Sequence, residues 1–260
     1  MSSSRGQHQQ EVRRVVLWTG NILEMEELIR KAGQTTIEEL RGSIKTTLNS
    51  WGGWKEEEDI GEVLTIQRQA KTPTTPPDDT TGNKTTVKLF LSNNDSEQVE
   101  DALKTMSSTL KLPQLDSVIV TPPDVSDDVT REALEPVWQT LEAAVDRGLV
   151  ASIGLADVSP HLFADIYTWA KVKPTTVQVN LSSCCVVPKE LTTFAQQNDV
   201  QVLTHNDPAE IVDEDIVSTI TSRLGLAGTQ IEWIARYRTI QQCRGLVQEK
   251  GYTLVLSCQG

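Results

Sequence analysis

Two residues in the last quarter of the chain have types and spacing that suit acid–base chemistry. His205 and Asp207 stand two positions apart, and a carboxylate beside an imidazole can orient it for proton transfer. The same residues also have a purely structural interpretation. His205 would end a strand, and Asp207, which precedes Pro208, would be the N-cap of the next helix. We favour the structural interpretation.

Cys184 and Cys185 are adjacent thiols that follow a predicted strand. Lys189 and a helix predicted to begin at Pro188 lie close by, and positive charge or a helix N-terminus favours a reactive thiolate. We therefore treat both cysteines as candidates for redox chemistry or partner contact. The alternative, which we favour, is that they are reduced, half-buried small residues.

Other familiar chemical motifs are absent from the sequence. No pair of Cys or His residues has the spacing of a zinc site, so no metal is expected. The chain also lacks the GxSxG, P-loop and HExxH patterns. These residues alone predict no catalytic site.

The stretch from 150 to 185 predicts the architecture most clearly. Residues 150–155 and 176–180 are short apolar or β-branched runs, typical of buried strands. Between them, Ser159 and Pro160 offer a helix start, apolar residues follow at helical spacing, and Pro174 ends the helix. A strand, a helix and a second strand of this size form a βαβ unit, which requires a parallel sheet.

The same alternation continues along the chain. We predict strands at 15–19, 62–69, 87–92, 115–121, 150–155, 176–181, 200–204 and 246–248, with a further strand-like end at 252–256. We predict helices at 36–48, 99–110, 135–147, 160–170, 188–197, 208–224 and 231–237. The count predicts an α/β protein with a (β/α)8 TIM barrel, and an open doubly wound sheet is the alternative. In such barrels the working residues follow the carboxyl ends of strands, here near Ser92, Thr121, Asp157, Asn180 and His205.

The length of 260 residues suits one barrel. Residues 1–11 are polar and predict a disordered tail, and residues 12–260 predict a single barrel domain. Within it, the segment near 71–85 is rich in Pro, Thr and Asp and predicts a mobile loop.

Composition excludes several classes of partner. The net charge of −12 would be repelled by nucleic acid and by anionic membranes. No apolar run approaches the ~20 residues of a transmembrane helix, and the N-terminus lacks a signal-peptide core. The four cysteines include no CxxC, which fits a reducing compartment. We expect a cytoplasmic protein.

Several motifs resemble known families. IGLAD (153–157) followed by VKPTTVQVN (172–180) resembles the aldo-keto reductases. LDSVIVTPP (115–123), VQVNLSSCCVVPKELTTFA (177–195) and LTHNDP (203–208) more closely resemble the regulatory (modifier) subunits of glutamate–cysteine ligase. That resemblance implies an aldo-keto-reductase-like barrel that does not perform the reductase reaction.

The resemblance also implies a vestigial reductase pocket. KLF (88–90) is similar to the reductase motif that carries the catalytic lysine, which points to Lys88, and Gln178 matches the glutamine that holds the nicotinamide amide. Asp157 replaces the paired asparagine. His205 falls where the reductases stack a tyrosine on the nicotinamide, and Asn206 takes the place of a pyrophosphate-binding serine.

The proton donors of the reductases are missing from their expected places. The only tyrosines, Tyr167, Tyr237 and Tyr252, lie in the second half of the chain, whereas the reductase tyrosine follows strand two. VIVTP (118–122) stands where the reductases have LIHWP, without a histidine. The resemblance therefore implies no catalysis, and the added carboxylate of Asp157 disfavours a dinucleotide, so no cofactor is expected.

The resemblance implies a regulatory role. Members of this family form a heterodimer with the glutamate–cysteine ligase catalytic subunit, raise its apparent affinity for glutamate and relieve feedback inhibition by glutathione. The alternatives are a divergent NADP-dependent aldo-keto-reductase-like oxidoreductase and a reductase-like scaffold for an unrelated partner.

Overall fold

A computed structural model of the chain describes residues 12–31, 33–53, 62–68, 82–124, 126, 129–182, 186–208, 211 and 214–258. The chain divides into two compact units. Unit 1 comprises Met1–Asn83 and Val212–Gly260, and unit 2 comprises Lys84–Ile211. The single domain predicted for 12–260 stays a prediction, and the predicted N-terminal tail lies outside the described residues.

Strands and helices alternate along most of the described chain. The strands are β1 (Arg14–Trp18), β2 (Val63–Gln67), β3 (Asn83–Leu91), β4 (Ser117–Thr121), β5 (Ile153–Ala156), β6 (Thr176–Asn180), β7 (Gln201–His205), β8 (Thr229–Gln241) and β9 (Leu246–Cys258). The helices are α1 (Glu26–Ile29), α2 (Thr36–Ser50), α3 (Ser96–Leu110), α4 (Arg131–Asp146), α5 (Pro160–Trp169), α6 (Lys189–Gln197) and α7 (Glu214–Leu224), with a 3-10 turn at Ile22–Glu24.

Unit 2 is an α/β unit built on a parallel sheet. Its strands follow the order β3-β4-β5-β6-β7, and each neighbouring pair is parallel. Helices α3 to α6 are the crossover connections that parallel pairing requires. This confirms the predicted α/β class with parallel strands.

The helix between β5 and β6 shows why the local sequence folds in this way. The side chain of Ser159 accepts a hydrogen bond from the backbone N–H of Leu162, and Pro160 occupies the first turn, where its missing N–H costs nothing. Leu162, Phe163 and Ile166 form its buried face. The helix and the strand that follows it therefore lie where the sequence predicts them.

Unit 1 combines one parallel pair with an antiparallel hairpin. Its strands follow the order β2-β1-β9-β8, in which β1 and β2 are parallel while β9 is antiparallel to both β1 and β8. The helix predicted at 231–237 is wrong, because this segment belongs to β8. The buried side chains of Ile231, Trp233, Ala235 and Tyr237 recur every second residue, the period of a strand.

Three further predictions are corrected at element ends. The two strands predicted at 246–248 and 252–256 are one continuous strand, β9. The helix predicted at 208–224 begins at Glu214. Residues 83–85 of the predicted mobile loop are strand residues at the start of β3, while 69–81 lie outside the described residues.

The helix α4 also begins earlier than predicted. It starts at Arg131, so Pro136 lies inside the helix and not in its first turn. Its end agrees with the sequence, since Gly148 follows the C-cap with φ of 73°, a left-handed conformation that suits glycine. Among the described helices, none is long and apolar enough to cross a membrane.

Candidate functional site

The candidate site lies in unit 2, where the carboxyl ends of its parallel strands meet. Lys88 comes from β3, Asp157 directly follows β5, Asn180 ends β6 and His205 ends β7. Asn180 and His205 are register partners across the β6–β7 pair. Asp207 follows β7 by two residues. Parallel strands place these ends at one edge of the sheet, although the residues are far apart in the sequence.

Lys88 is the centre of this cluster. Its Nζ atom lies 2.8 Å from Oδ2 of Asp207 and 3.7 Å from Oδ2 of Asp157. The side chains of Lys88 and Asp207 are each 3% exposed, and that of Asp157 is 12% exposed. The ammonium group also lies 5.1 Å from the ring centroid of Phe90, within range of a cation–π contact. A buried cation is thus compensated by two carboxylates.

His205 lies between the two carboxylates. Its Nε2 atom is 2.8 Å from Oδ1 of Asp157, and its Nδ1 atom is 3.1 Å from Oδ2 of Asp207. Nδ1 is also 3.1 Å from the backbone nitrogen of Asp207, and Nε2 is 3.2 Å from Nζ of Lys88. We name these four residues, Lys88, Asp157, His205 and Asp207, the ion cluster.

Opposing effects set the pKa of His205. Burial of the imidazole acts to lower the pKa, because it disfavours the charged form. The hydrogen bonds with Asp157 and Asp207 act in the opposite direction, while the charge of Lys88 again lowers it. The net result is a pKa raised above 6.5.

The backbone around the cluster is held in specific conformations. Asp157 adopts φ of 60°, the left-handed region in which Asp is tolerated better than most residues. Its backbone N–H donates to the carbonyl of Gln178, which ties this turn to β6. Asn180 donates from Nδ2 to the carbonyl of Asp207 at 2.9 Å, and its Oδ1 accepts from the backbone N–H of Ser182.

The predicted pocket residues are brought together only in part. Lys88, Asp157 and His205 are in mutual contact. The Oε1 atom of Gln178 is buried without a hydrogen-bond partner. Asn206 is exposed and lies between His205 and the buried Asp207.

Asp207 corrects a sequence prediction. It is not the N-cap of a helix, since helix α7 begins only at Glu214. Its carboxylate instead pairs with Lys88, a residue 119 positions away. The HxD spacing after a strand was the available signal, but the buried lysine that completes the cluster comes from a distant strand.

Tyr167, the tyrosine of unit 2, lies away from the cluster. Its hydroxyl donates to the carbonyl of Asn198, which precedes β7, whereas His205 ends that strand. The five residues of β7 span about 16 Å, so hydroxyl and imidazole are at opposite ends of the strand. The hydrogen bonds of the ion cluster thus join carboxylates, an ammonium group and an imidazole, without the tyrosine of unit 2.

The cysteines divide into two groups. Cys184 and Cys185 lie outside the described residues, so their proposed redox or contact role stays a prediction. Cys243 is a free, exposed thiol, and Cys258 is a free, buried one whose pKa is raised by burial. Among the described residues, no group of His, Cys, Asp and Glu is placed to hold a metal ion.

Comparisons with known proteins place the chain in a family. Residues 56–206 match the Aldo/keto reductase family. The chain is 37% identical over 257 residues to the Rattus norvegicus glutamate–cysteine ligase regulatory subunit, a match that covers 94% of this chain and 93% of the relative. The chain belongs to the family of glutamate–cysteine ligase regulatory subunits.

Other relatives agree with this placement. The Homo sapiens regulatory subunit is 36% identical over the same shares of the two chains. An NADH-dependent D-xylose reductase from Candida parapsilosis is 25% identical over 190 residues, covering 59% of this chain and 58% of the reductase. The chain thus also matches the Aldo/keto reductase family, and its α/β fold with parallel strands is consistent with a (β/α)8 barrel.

Proposed function

We propose that this chain is a non-catalytic regulatory subunit of glutamate–cysteine ligase. It binds the catalytic subunit as a heterodimer, raises the apparent affinity for glutamate and relieves feedback inhibition by glutathione. The observation that carries the proposal is the match to relatives named regulatory subunits, which extends over 94% of this chain. We expect the heterodimer in the cytoplasm, in line with a chain whose four cysteines form no CxxC pair.

The geometry of the ion cluster supports a non-catalytic role. A reductase lysine, with an aspartate and a histidine, assists a nearby tyrosine that protonates the substrate, and in this chain the ammonium group of Lys88 pairs with Asp207 and Asp157. Within unit 2 the hydroxyl of Tyr167 is at the other end of β7. The cluster thus has the contacts of an internal ionic network and lacks a tyrosine proton donor from this unit.

A subunit without catalytic groups can regulate through differential binding. If the chain binds the glutamate-competent state of its partner more tightly than the inhibited state, it shifts the partner toward competence. A tenfold difference in affinity for the two states corresponds to about 1.4 kcal/mol of coupling free energy. By the same linkage, glutamate should tighten the heterodimer and glutathione should loosen it.

A titration tests the proposal. The chain is added to a purified glutamate–cysteine ligase catalytic subunit, and the initial rate is followed at limiting glutamate with and without glutathione. A saturable rise at about one chain per catalytic subunit, with weaker inhibition by glutathione, is expected. A catalytically active aldo/keto reductase is the control for the fold alone. An equal response to both proteins, or a flat response to this chain, would refute the regulatory role.

The alternative function is a divergent NADP-dependent oxidoreductase. The specific observation in its favour is a pair of buried side-chain oxygens without hydrogen-bond partners, Oε1 of Gln178 and Oγ1 of Thr121, on strands of unit 2. Titration of the chain with NADPH, followed by fluorescence, distinguishes the two functions. Saturable binding together with turnover of a carbonyl substrate would establish the oxidoreductase, and we expect neither.

A further inference from the structure

We propose that His205 is a proton-operated switch at the carboxyl end of β7, which changes its hydrogen-bond partner within Asp207 when it gains or loses a proton. The neutral ring accepts from the backbone N–H of Asp207. The protonated ring donates to the carboxylate of the same residue. The switch is a property of the fold of unit 2 and does not depend on the regulatory role proposed above.

The neutral arrangement follows from two distances. Nε2 is 2.8 Å from Oδ1 of Asp157, the shortest contact of the ring, so Nε2 carries the hydrogen and donates it. Nδ1 then carries none and accepts from the backbone N–H of Asp207 at 3.1 Å. These two contacts agree on one tautomer, in which Nε2 does not accept from Lys88 and the ammonium group donates to Asp207.

The opposite neutral tautomer is disfavoured. It would let Nδ1 donate to Oδ2 of Asp207 and let Nε2 accept from Lys88 at 3.2 Å. However, it would place the bare lone pair of Nε2 only 2.8 Å from a carboxylate oxygen of Asp157. It would also set two N–H donors against each other at Nδ1 and the Asp207 nitrogen.

Protonation replaces one of these bonds. Both ring nitrogens of the imidazolium are donors, so Nε2 retains Asp157 while Nδ1 must find an acceptor. The available acceptor is Oδ2 of Asp207, also at 3.1 Å. The backbone N–H of Asp207 then loses its bond to the ring, because a ring nitrogen that carries a hydrogen has no lone pair in the ring plane to accept a hydrogen bond.

The charges around the ring favour its protonated form. Among the residues that the structure describes, the charged groups that face His205 are Lys88 from β3, Asp157 from the turn after β5 and Asp207 from the turn after β7. Two carboxylates and one ammonium leave this set with one negative charge when the ring is neutral. Protonation makes the cluster neutral overall, which is favourable in a buried setting and agrees with the raised pKa.

The switch would act on the segment after β7. The backbone of Asp207 is fastened at its carbonyl by Nδ2 of Asn180 and at its N–H by the neutral ring. Protonation breaks the hydrogen bond between the Asp207 N–H and the ring and leaves the hydrogen bond from Asn180 to the Asp207 carbonyl. Asp207 is therefore joined to the ring through its backbone N–H when the ring is neutral and through its carboxylate when the ring is charged, while Lys88 pairs with the carboxylate in both states.

Nitrogen NMR of the full chain tests the tautomer directly. The chain contains three histidines, His8, His161 and His205, and the signals of His205 are identified by their loss in His205→Gln. We expect its neutral form to carry the hydrogen on Nε2, and its midpoint to lie above 6.5, the usual value for histidine. A neutral form with the hydrogen on Nδ1, or a ring that does not titrate, would overturn the proposal.

Amide exchange provides a second measurement that requires no substitution. After correction for intrinsic rates, the amide of Asp207 should become less protected as the pH falls through the midpoint of His205. The amide of Ser182 is the internal control, because its acceptor, Oδ1 of Asn180, does not titrate. Equal changes at both amides would refute the switch.

Asp157→Asn should lower the His205 midpoint by about one pH unit or more, and an unchanged midpoint would contradict the assignment of Asp157 as its partner.

Discussion

Lys88 and Asp207 form a buried ion pair in which Nζ lies 2.8 Å from Oδ2. The two residues are 119 positions apart, on the first strand of unit 2 and just after its last strand. The two outermost strands of the unit 2 sheet, β3 and β7, thus each contribute one residue to the same ion pair. Removing one partner of a buried pair leaves the other charge uncompensated, which costs more than the intact pair contributes.

Lys88→Met should therefore destabilise the protein by about 3–5 kcal/mol. Urea denaturation measures the free energy of unfolding, and Lys104→Met is the matched control, since the Lys104 side chain on α3 is 69% exposed. The double variant Lys88→Met, Asp207→Asn should recover part of the loss. Equal stability of Lys88→Met and Lys104→Met would show that Lys88 is not held as a buried cation.

His205 should make stability depend on pH in a defined direction. Its pKa is raised in the folded chain, so its contribution is fully present below the unfolded pKa of about 6.5 and is lost as the pH rises through the folded pKa. The difference in unfolding free energy between wild type and His205→Gln should thus shrink as the pH rises above about 6.5. A difference that grows with pH would reverse the sign of the inferred shift.

Gly154 on β5 is expected to be intolerant of a side chain. A Cβ atom there would lie 2.5 Å from the backbone oxygen of Thr176 on β6, so the two strands would have to separate. Gly154→Ala should cost about 1–3 kcal/mol of unfolding free energy. Gly52→Ala is the control, because a Cβ at Gly52 meets nothing within 4 Å. Thermal melting of both variants checks this, and equal midpoints would contradict the close approach of β5 and β6.

Thr35 starts helix α2 through a capping box with Glu38. The backbone and side chain of Thr35 both donate to the Glu38 carboxylate, which lowers the pKa of Glu38. Thr35→Ala should cost about 1 kcal/mol of stability and should raise the pKa of Glu38 toward its usual value. Asn49→Ala, at an exposed position of the same helix, is the control. Carbon NMR of the Glu38 carboxylate follows the titration, and an unchanged pKa would show that the Thr35 hydroxyl does not donate to the Glu38 carboxylate in solution.

Strong local signals were enough to predict much of the fold. Ser159, Pro160 and Pro174 mark a helix between two short strands, and the structure has α5 and β6 in those places. Each of these signals acts within a few residues, through a cap hydrogen bond or a fixed φ angle, so tertiary contacts need not be known. The motifs that resemble the regulatory-subunit family likewise indicated the family to which the chain belongs.

The C-terminal hairpin shows where local signals failed. Ile231, Trp233, Ala235 and Tyr237 alternate with more exposed residues, which is the strand pattern. Ile234 is also buried, next to a bulge between Ile231 and Trp233, and this extra apolar residue makes the segment resemble one face of a helix. Pairing with β9 over the length of β8 decides for the strand, and that partner begins only at Leu246.

The sequence by itself determined the α/β class, the family and the residues available to the site: Lys88, Asp157, Gln178 and His205. Tertiary structure alone decided how those residues are used. The carboxylate of Asp207 could cap a helix or neutralise a lysine. Which of the two it does depends on where α7 begins and on whether another strand places a lysine at the same edge of the sheet. A parallel sheet brings together strand ends that are far apart along the chain, so no local pattern encodes the meeting of Lys88, Asp157, His205 and Asp207.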